Sequence, residues 1–227
     1  MKKILISSLL LLLIICICII YISQIYISQT KFVNLFLTAQ KPSNIHIHST
    51  ESSHSQYSNE ILTCDYYYKD NIYVKKAISQ NNSTFYTYKN FNNNTYIYIV
   101  NTQEYKEISI DDITSDNNNT FWDKYPIVDD TLKNTTYHYK GIESIDNTDT
   151  YKSIFKNKHD DTLTTFWINK NNGFIQKYLS INNNLDYSIE ELYSYYPDSV
   201  NDSDIQEPNI NDYKDYNIIY KNAKTTD

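Results

Sequence analysis

"TTFWINKNNGFIQKYL", Thr164 to Leu179, holds one of only two glycines in a chain of 227 residues. Asn172 and Gly173 stand between two apolar, alternating runs. Asn-Gly in that setting is the strongest short-range hairpin signal, because a type I′ turn needs positive φ at both central residues. The reading predicts two antiparallel strands, Leu163–Asn169 and Phe174–Ile181. Side chains alternate along a strand, so Phe166 and Ile168 point one way and Trp167 the other. After the turn, Phe174, Gln176 and Tyr178 share one face, while Ile175, Lys177 and Leu179 share the other. Both faces carry bulk, so both are covered: one by a core, the other by a groove or a packed helix.

The same alternation extends outward from this hairpin. Before it, strands are predicted at Ile45–Ser53, Glu60–Tyr68, Ile72–Ser79, Thr84–Asn90, Thr95–Asn101, Tyr105–Ile110, Thr136–Ser144 and Thr150–Lys156, and after it at Leu185–Tyr193. The connections are a few residues long, which predicts an antiparallel meander. Asparagine clusters stand at the turns in place of glycine, since asparagine tolerates left-handed backbone angles.

Three segments break the pattern. Residues 4–22 are apolar behind Lys2 and Lys3, long enough to span a bilayer as a helix, with the start inside and the rest outside. The nearest cleavage positions carry bulky tyrosines, so the segment reads as an uncleaved signal anchor. Phe32, Val33, Leu35, Phe36 and Leu37 fit a short helix that ends before Pro42. Residues 114–134 form a long loop carrying Phe121, Trp122 and Tyr125; these rings either dock on a sheet face or act as a lid over a groove. The stretch after Pro208 is polar and reads as a flexible tail. The resulting division is 1–25 anchor, 26–208 extracytoplasmic domain and 209–227 tail.

Composition removes several function classes. The net charge is −7 and every basic side chain is lysine or histidine, with no arginine. A phosphate-binding surface wants a basic face and the bidentate guanidinium, so nucleic acid is excluded as a partner. The external portion holds a single cysteine, Cys64, and therefore no internal disulfide; it reads as a buried thiol. His46 and His48 share one face of a strand, and His54 joins them only if the chain turns near Ser52; the three form a weak zinc candidate against a plain solvated strand. Asp198, Asp202 and Asp204 lack the spacing of a calcium loop. The adjacent carboxylates Asp111–Asp112, Asp129–Asp130 and Glu190–Glu191 point to opposite faces of a strand. No catalytic constellation and no cofactor motif is present.

The order of motifs resembles the LolA-like and LppX-like superfamily of lipoprotein carriers. "YYYKDNIYVKKAI" and "FYTYKNFNNNTYIYIVNTQEYKEI" resemble its strand ladder, and "YHYKGIESIDNTDTYKSIF" its Gly-x-Glu strand pair. "TTFWINKNNGFIQKYL" resembles its Trp-Ile-Asp hairpin, with Asn169 in the place of the aspartate. "VNDSDIQEP" resembles its closing stretch, with Ile205 in the place of phenylalanine. The likeness covers about Thr30 to Pro208 and places Gly141 and Gly173 on family positions.

The resemblance implies a mainly β fold: a curved antiparallel half-barrel of about eleven strands whose apolar concavity is plugged by helix and loop, behind the N-terminal transmembrane helix. It implies a non-catalytic protein that receives a lipid or lipoprotein acyl chain in the concavity, at roughly 0.8 kcal/mol per buried methylene. Candidate cavity or lid residues are Phe121, Trp122, Tyr125, Phe166, Trp167, Ile168 and Phe174. Relatives in spore formers imply the alternative of a scaffold that binds another envelope protein. An open apolar hollow favours the first reading and a filled one the second.

Overall fold

The computed structural model describes residues 11–15, 26–39, 41–120, 122 and 134–221. These include the helix α1 (Gln29–Leu37) and twelve strands in a single sheet. The strands are β1 (Asn44–Ser55), β2 (Asn59–Lys69), β3 (Ile72–Ser79), β4 (Thr84–Asn90), β5 (Thr95–Asn101), β6 (Lys106–Asp112), β7 (Thr135–Ile145), β8 (Thr148–Asn157), β9 (Leu163–Asn169), β10 (Ile175–Asn182), β11 (Tyr187–Pro197) and β12 (Asn217–Tyr220). Four of the strands expected from alternation end where the sequence placed them, and the others agree within a few residues. Most of the apolar span 4–22 lies outside the described residues. Its part 11–15 is helical and exposed, and no described helix is long and apolar enough to cross a membrane.

The meander is interrupted twice, between β6 and β7 and again between β11 and β12. Across the sheet the order is β12-β6-β5-β4-β3-β2-β1-β11-β10-β9-β8-β7. The chain starts in the middle, walks out to β6, crosses to the opposite edge at β7, and walks back until β11 pairs with β1. Short polar connections cannot make that crossing, and residues 113–134 are the length that does. The twelfth strand corrects the expected flexible tail: residues 217–220 pair in parallel with β6. The preceding stretch lays Val200, Ile205, Ile210, Tyr213 and Tyr216 over the outer face of β3–β6. Burial of these scattered apolar side chains orders a segment whose average composition is polar.

Turn chemistry explains how so few glycines suffice. Among the described residues, nine other than glycine hold positive φ, and all nine are Asn or Asp. Asp70–Asn71 and Asp146–Asn147, with both φ values positive, make the two-residue hairpin turns β2–β3 and β7–β8. The expected type I′ turn at Asn172–Gly173 is not what forms. Only Gly173 has positive φ there, +77°. The loop is longer, with the Asn169 amide donating to the Phe174 carbonyl at 2.8 Å and the Gly173 amide to the Asn169 carbonyl at 3.0 Å. The Asn169 and Asn172 side chains accept from Asn171 and Phe174 amides and stiffen it.

One face of the sheet wraps α1. Side chains from β3, β2, β1, β11, β10, β9, β8 and β7 join Ile27, Phe32 and Val33 in one apolar cluster. Eight strands laid flat span about 34 Å, whereas a nine-residue helix is about 13 Å long and 10 Å wide. The sheet therefore curls around the helix. Ser28 caps the helix by accepting from the Lys31 amide. Ile27 and Phe32 occupy the two positions of a hydrophobic staple and are 1% and 0% exposed.

Candidate functional site

Along β1 the inner face changes character from one end to the other. Ile45 and Ile47 are buried under α1; Ser49, Glu51 and Ser53 follow on the same side. β10 repeats this with Ile175, Tyr178, Ser180 and Asn182, and β2 with Tyr66, Cys64, Leu62 and Glu60. Cys64 is a fully buried thiol, as the sequence reading expected. At the apolar end Ile27, Phe32 and Val33 pack into the hollow. At the polar end a hollow of about 270 Å³ remains, lined by Glu51, Glu60 and Lys75 with Leu62, Phe85 and Tyr98 among its walls.

The filling is locked at Gly173. A Cβ built there would lie 2.1 Å from the carbonyl oxygen of Leu35 and 3.2 Å from the Ala39 side chain. The β9–β10 turn therefore presses directly on the backbone of α1. Tyr137 adds a second tie: its hydroxyl donates to the Ile27 carbonyl at 2.8 Å while accepting from Ser153. Burial pushes this hydroxyl up to about 12, so it remains a donor at any ordinary pH.

The crossing segment also covers the inner face. Lys89, 6% exposed, donates from Nζ to the Asn119 carbonyl and lies over the rings of Tyr73 and Tyr96. Trp122 packs on Phe174 with ring centroids 5.6 Å apart, and Lys41 approaches its other side at 5.9 Å. Of the candidate cavity residues, Phe166, Ile168, Phe174 and Trp122 come together on this face. Phe121 and Tyr125 lie outside the described residues. A bulge between Ile175 and Lys177 turns Ile175 inward beside Ile168, contrary to strict alternation.

Trp167 does not belong with them. It sits on the outer face, 4% exposed, between the ammonium groups of Lys152 and Lys177 at 4.8 and 5.2 Å from its ring. Lys152 pairs with Glu143 at 2.8 Å and Lys177 with Glu190 at 2.7 Å. The result is a charged ladder across β7 to β11 that covers the indole with lysine stems. The hydrogen bond from Lys152 holds the Glu143 carboxyl below the usual carboxylate range. Trp167 is thus a structural residue of the covered outer face, not a cavity or lid residue.

The three histidines do not converge. β1 runs unbroken through Ser55 with no turn near Ser52, so His54 lies about 27 Å along the strand from His46. It bonds Asn59 instead. His46 and His48 meet Asp65, which the sequence reading missed: Nε2 of His46 and Nδ1 of His48 lie 2.8 and 2.9 Å from the same Oδ1. The β1–β2 register, not visible in sequence, places Asp65 opposite His48. His46 stacks between Tyr67 and Tyr196. Among the described residues no group of three His, Cys, Asp or Glu has the arrangement to hold a metal ion. Asp202 pairs with Lys69, and Asp204 accepts from the Asn201 amide.

Burial raises the Asp65 pKa, and the hydrogen bonds and charge of His48 and His46 more than reverse this, leaving it below the ordinary 3.8. A carboxylate with a depressed folded-state pKa stabilises the fold above its unfolded pKa, and the contribution is lost as pH falls through the folded value. The stability gap between wild type and Asp65→Asn is therefore expected to be larger at about pH 5 than at about pH 2.5. Urea unfolding at each pH measures it; equal gaps would remove the linkage.

No protein-family model and no curated protein matches the sequence. Solved structures do match the fold. The Pseudomonas aeruginosa MucB chain of a MucA/MucB complex aligns at TM-score 0.50 and 7% identity, over 78% of this chain and 60% of that one. An uncharacterized conserved protein from Thermus thermophilus aligns at TM-score 0.50 and 7% identity, over 85% and 98%. A LolA superfamily protein from Nitrosomonas europaea aligns at TM-score 0.33 and 8% identity, over 80% and 99%. The chain shares its fold with the MucB and Thermus thermophilus structures. This chain spans about 60% of the length of the MucB chains it matches. On this sheet the helix is seated on Gly173, and the polar end of the inner face carries a hollow lined by Glu51, Glu60 and Lys75.

Proposed function

We propose that this LolA-like protein is a non-catalytic module of the cell envelope that holds another envelope protein, tethered by its apolar segment 4–22 with the folded domain outside the membrane. The observation that carries this reading is the helix on the inner face: the Leu35 carbonyl seats against Gly173, which supports α1 as a plug held in place. MucB, of the same fold, has been solved in complex with MucA, which supports protein binding as a use of the scaffold.

The remaining hollow favours a second reading, binding of a lipid or lipid-modified group, through its Leu62, Phe85 and Tyr98 walls. Its volume falls below the roughly 300–1,000 Å³ of small-ligand pockets. An acyl chain there would also strip water from the carboxylates of Glu51 and Glu60, at a cost on the order of several kcal/mol per buried charge.

Photo-cross-linking in cells from exposed positions Tyr105 and Tyr187, followed by native mass spectrometry of the gently extracted chain, separates the two. The expected result is a discrete protein adduct and no stoichiometric lipid. Stoichiometric lipid without a protein adduct would overturn the partner reading in favour of the lipid one.

A further inference from the structure

The two edges of the sheet are finished differently. β7 carries a bulge between Tyr139 and Gly141, with Lys140 at the kink. A bulge and a lysine are the usual means of stopping an edge from pairing with another chain. β6, at the other side, pairs with β5 over seven consecutive residues with no register shift. Such a regular edge invites a further strand.

Among the described residues, the only strand on that edge is β12. Its four residues pair in parallel, from Asn217 opposite Glu107 to Tyr220 opposite Ile110, and the Lys221 amide donates to the Ile110 carbonyl at 2.8 Å. Every other described strand has at least seven residues, and none of the four in β12 is fully buried. Parallel pairs are also slightly weaker per residue than antiparallel ones. The chain leading to β12 is held firmly: Tyr213 and Tyr216 meet edge-to-face at 5.0 Å, and both pack on the outer cluster of β3–β6. Beyond Tyr216, among the described residues, only Ile218 still packs on that cluster, and the short parallel pairing begins at Asn217.

We propose that the β6 edge is a strand-acceptor site for an extended segment of a partner protein, kept closed in the resting molecule by the chain's own Asn217–Tyr220. The proposal rests on the partner-binding reading and names the surface that such a partner uses. The chain's own segment shows what the edge accepts. A donor offers its backbone to Glu107–Ile110 and places an apolar side chain, as Ile218 does, against the outer cluster. Lys221 follows where β6 continues into Asp111 and Asp112, so a basic residue there matches the charge of the edge. Recognition is by strand addition: main-chain hydrogen bonds give affinity, and alternate side chains give selectivity.

The test uses the full chain in detergent, the same chain ended after Tyr216, and a labelled synthetic peptide Asp-Tyr-Asn-Ile-Ile-Tyr-Lys, residues 215–221. The shortened chain is expected to bind the peptide saturably and at least about tenfold more tightly than the full chain, since the full chain must first release its own strand. N-methylation of the peptide at the Lys221 amide removes the donor to Ile110 and is expected to abolish binding. A shortened chain that is folded by circular dichroism yet binds no peptide overturns the proposal, as does equal binding by both chains. If the shortened chain fails to fold, hydrogen exchange on the full chain decides: segment 217–221 is expected to exchange at least about 100-fold faster than β5, and equal protection overturns the proposal. Peptide capture with no envelope partner in cells would sink the functional reading alone. A cross-linked partner without peptide capture would sink this proposal alone.

Discussion

Gly173→Ala is expected to destabilise the protein by about 2–5 kcal/mol, with chemical unfolding as the measurement. Two effects add. The residue holds φ at +77°, where a Cβ costs about 1–2 kcal/mol. The new methyl would also lie 2.1 Å from the Leu35 carbonyl oxygen, and relieving that overlap moves the helix off its seat at a further cost of about 1–3 kcal/mol. Gly141 is the control. Its φ is +107°, and a Cβ there meets nothing within 4 Å, so Gly141→Ala carries only the backbone cost, about 1–3 kcal/mol. The obstruction at Gly173 is backbone, so adding Leu35→Ala should not rescue Gly173→Ala. Equal losses at the two glycines, or rescue through Leu35, would show that the helix does not press on the turn.

Phe32→Ala is expected to cost about 3–5 kcal/mol, in the range for a fully buried phenylalanine. Phe32 is 0% exposed and packs on Tyr137 and Phe155 at ring separations of 6.1 and 5.8 Å. The variant should also bind an apolar dye, because loosening α1 uncovers the inner face between β1 and β9. The size of the loss separates a plug from a lid. A lid that opens readily sits at the low end of local stability, and its truncation changes global unfolding by less than about 1 kcal/mol. A loss that small would reopen the lipid reading, since the apolar end of the hollow would then be accessible.

Much of the strand ladder was legible because its signal is local. Period-two alternation marked Ile72–Ser79, Thr84–Asn90, Thr95–Asn101 and Leu163–Asn169 at their observed bounds. Asparagine and aspartate announced the turns, and Asp70–Asn71 and Asp146–Asn147 adopt the positive φ values that the Asn-Gly rule assigned to residues 172 and 173. The candidate site was less legible. Phe166 and Ile168 share a face as their spacing required, and the fold brings Phe174 into the same cluster. Trp167 was misassigned to the cavity, because nothing in its own segment shows that Lys152 and Lys177, 15 residues before and 10 after it, sandwich its ring. Asp65 was overlooked for the same reason: the β1–β2 register that brings it to His46 and His48 depends on the turn between the strands.

The sequence by itself determined the strands, their turns and a scarcity of glycine that asparagine offsets, since each depends on backbone preferences within a few residues. Only the tertiary structure decided that the sheet closes on α1, that residues 217–220 return to cover the β6 edge, and that Gly173 is required mainly by a carbonyl 138 positions earlier in the chain. Those outcomes depend on which distant surfaces bury each other, and burial is non-directional and collective, so no window of the sequence encodes it.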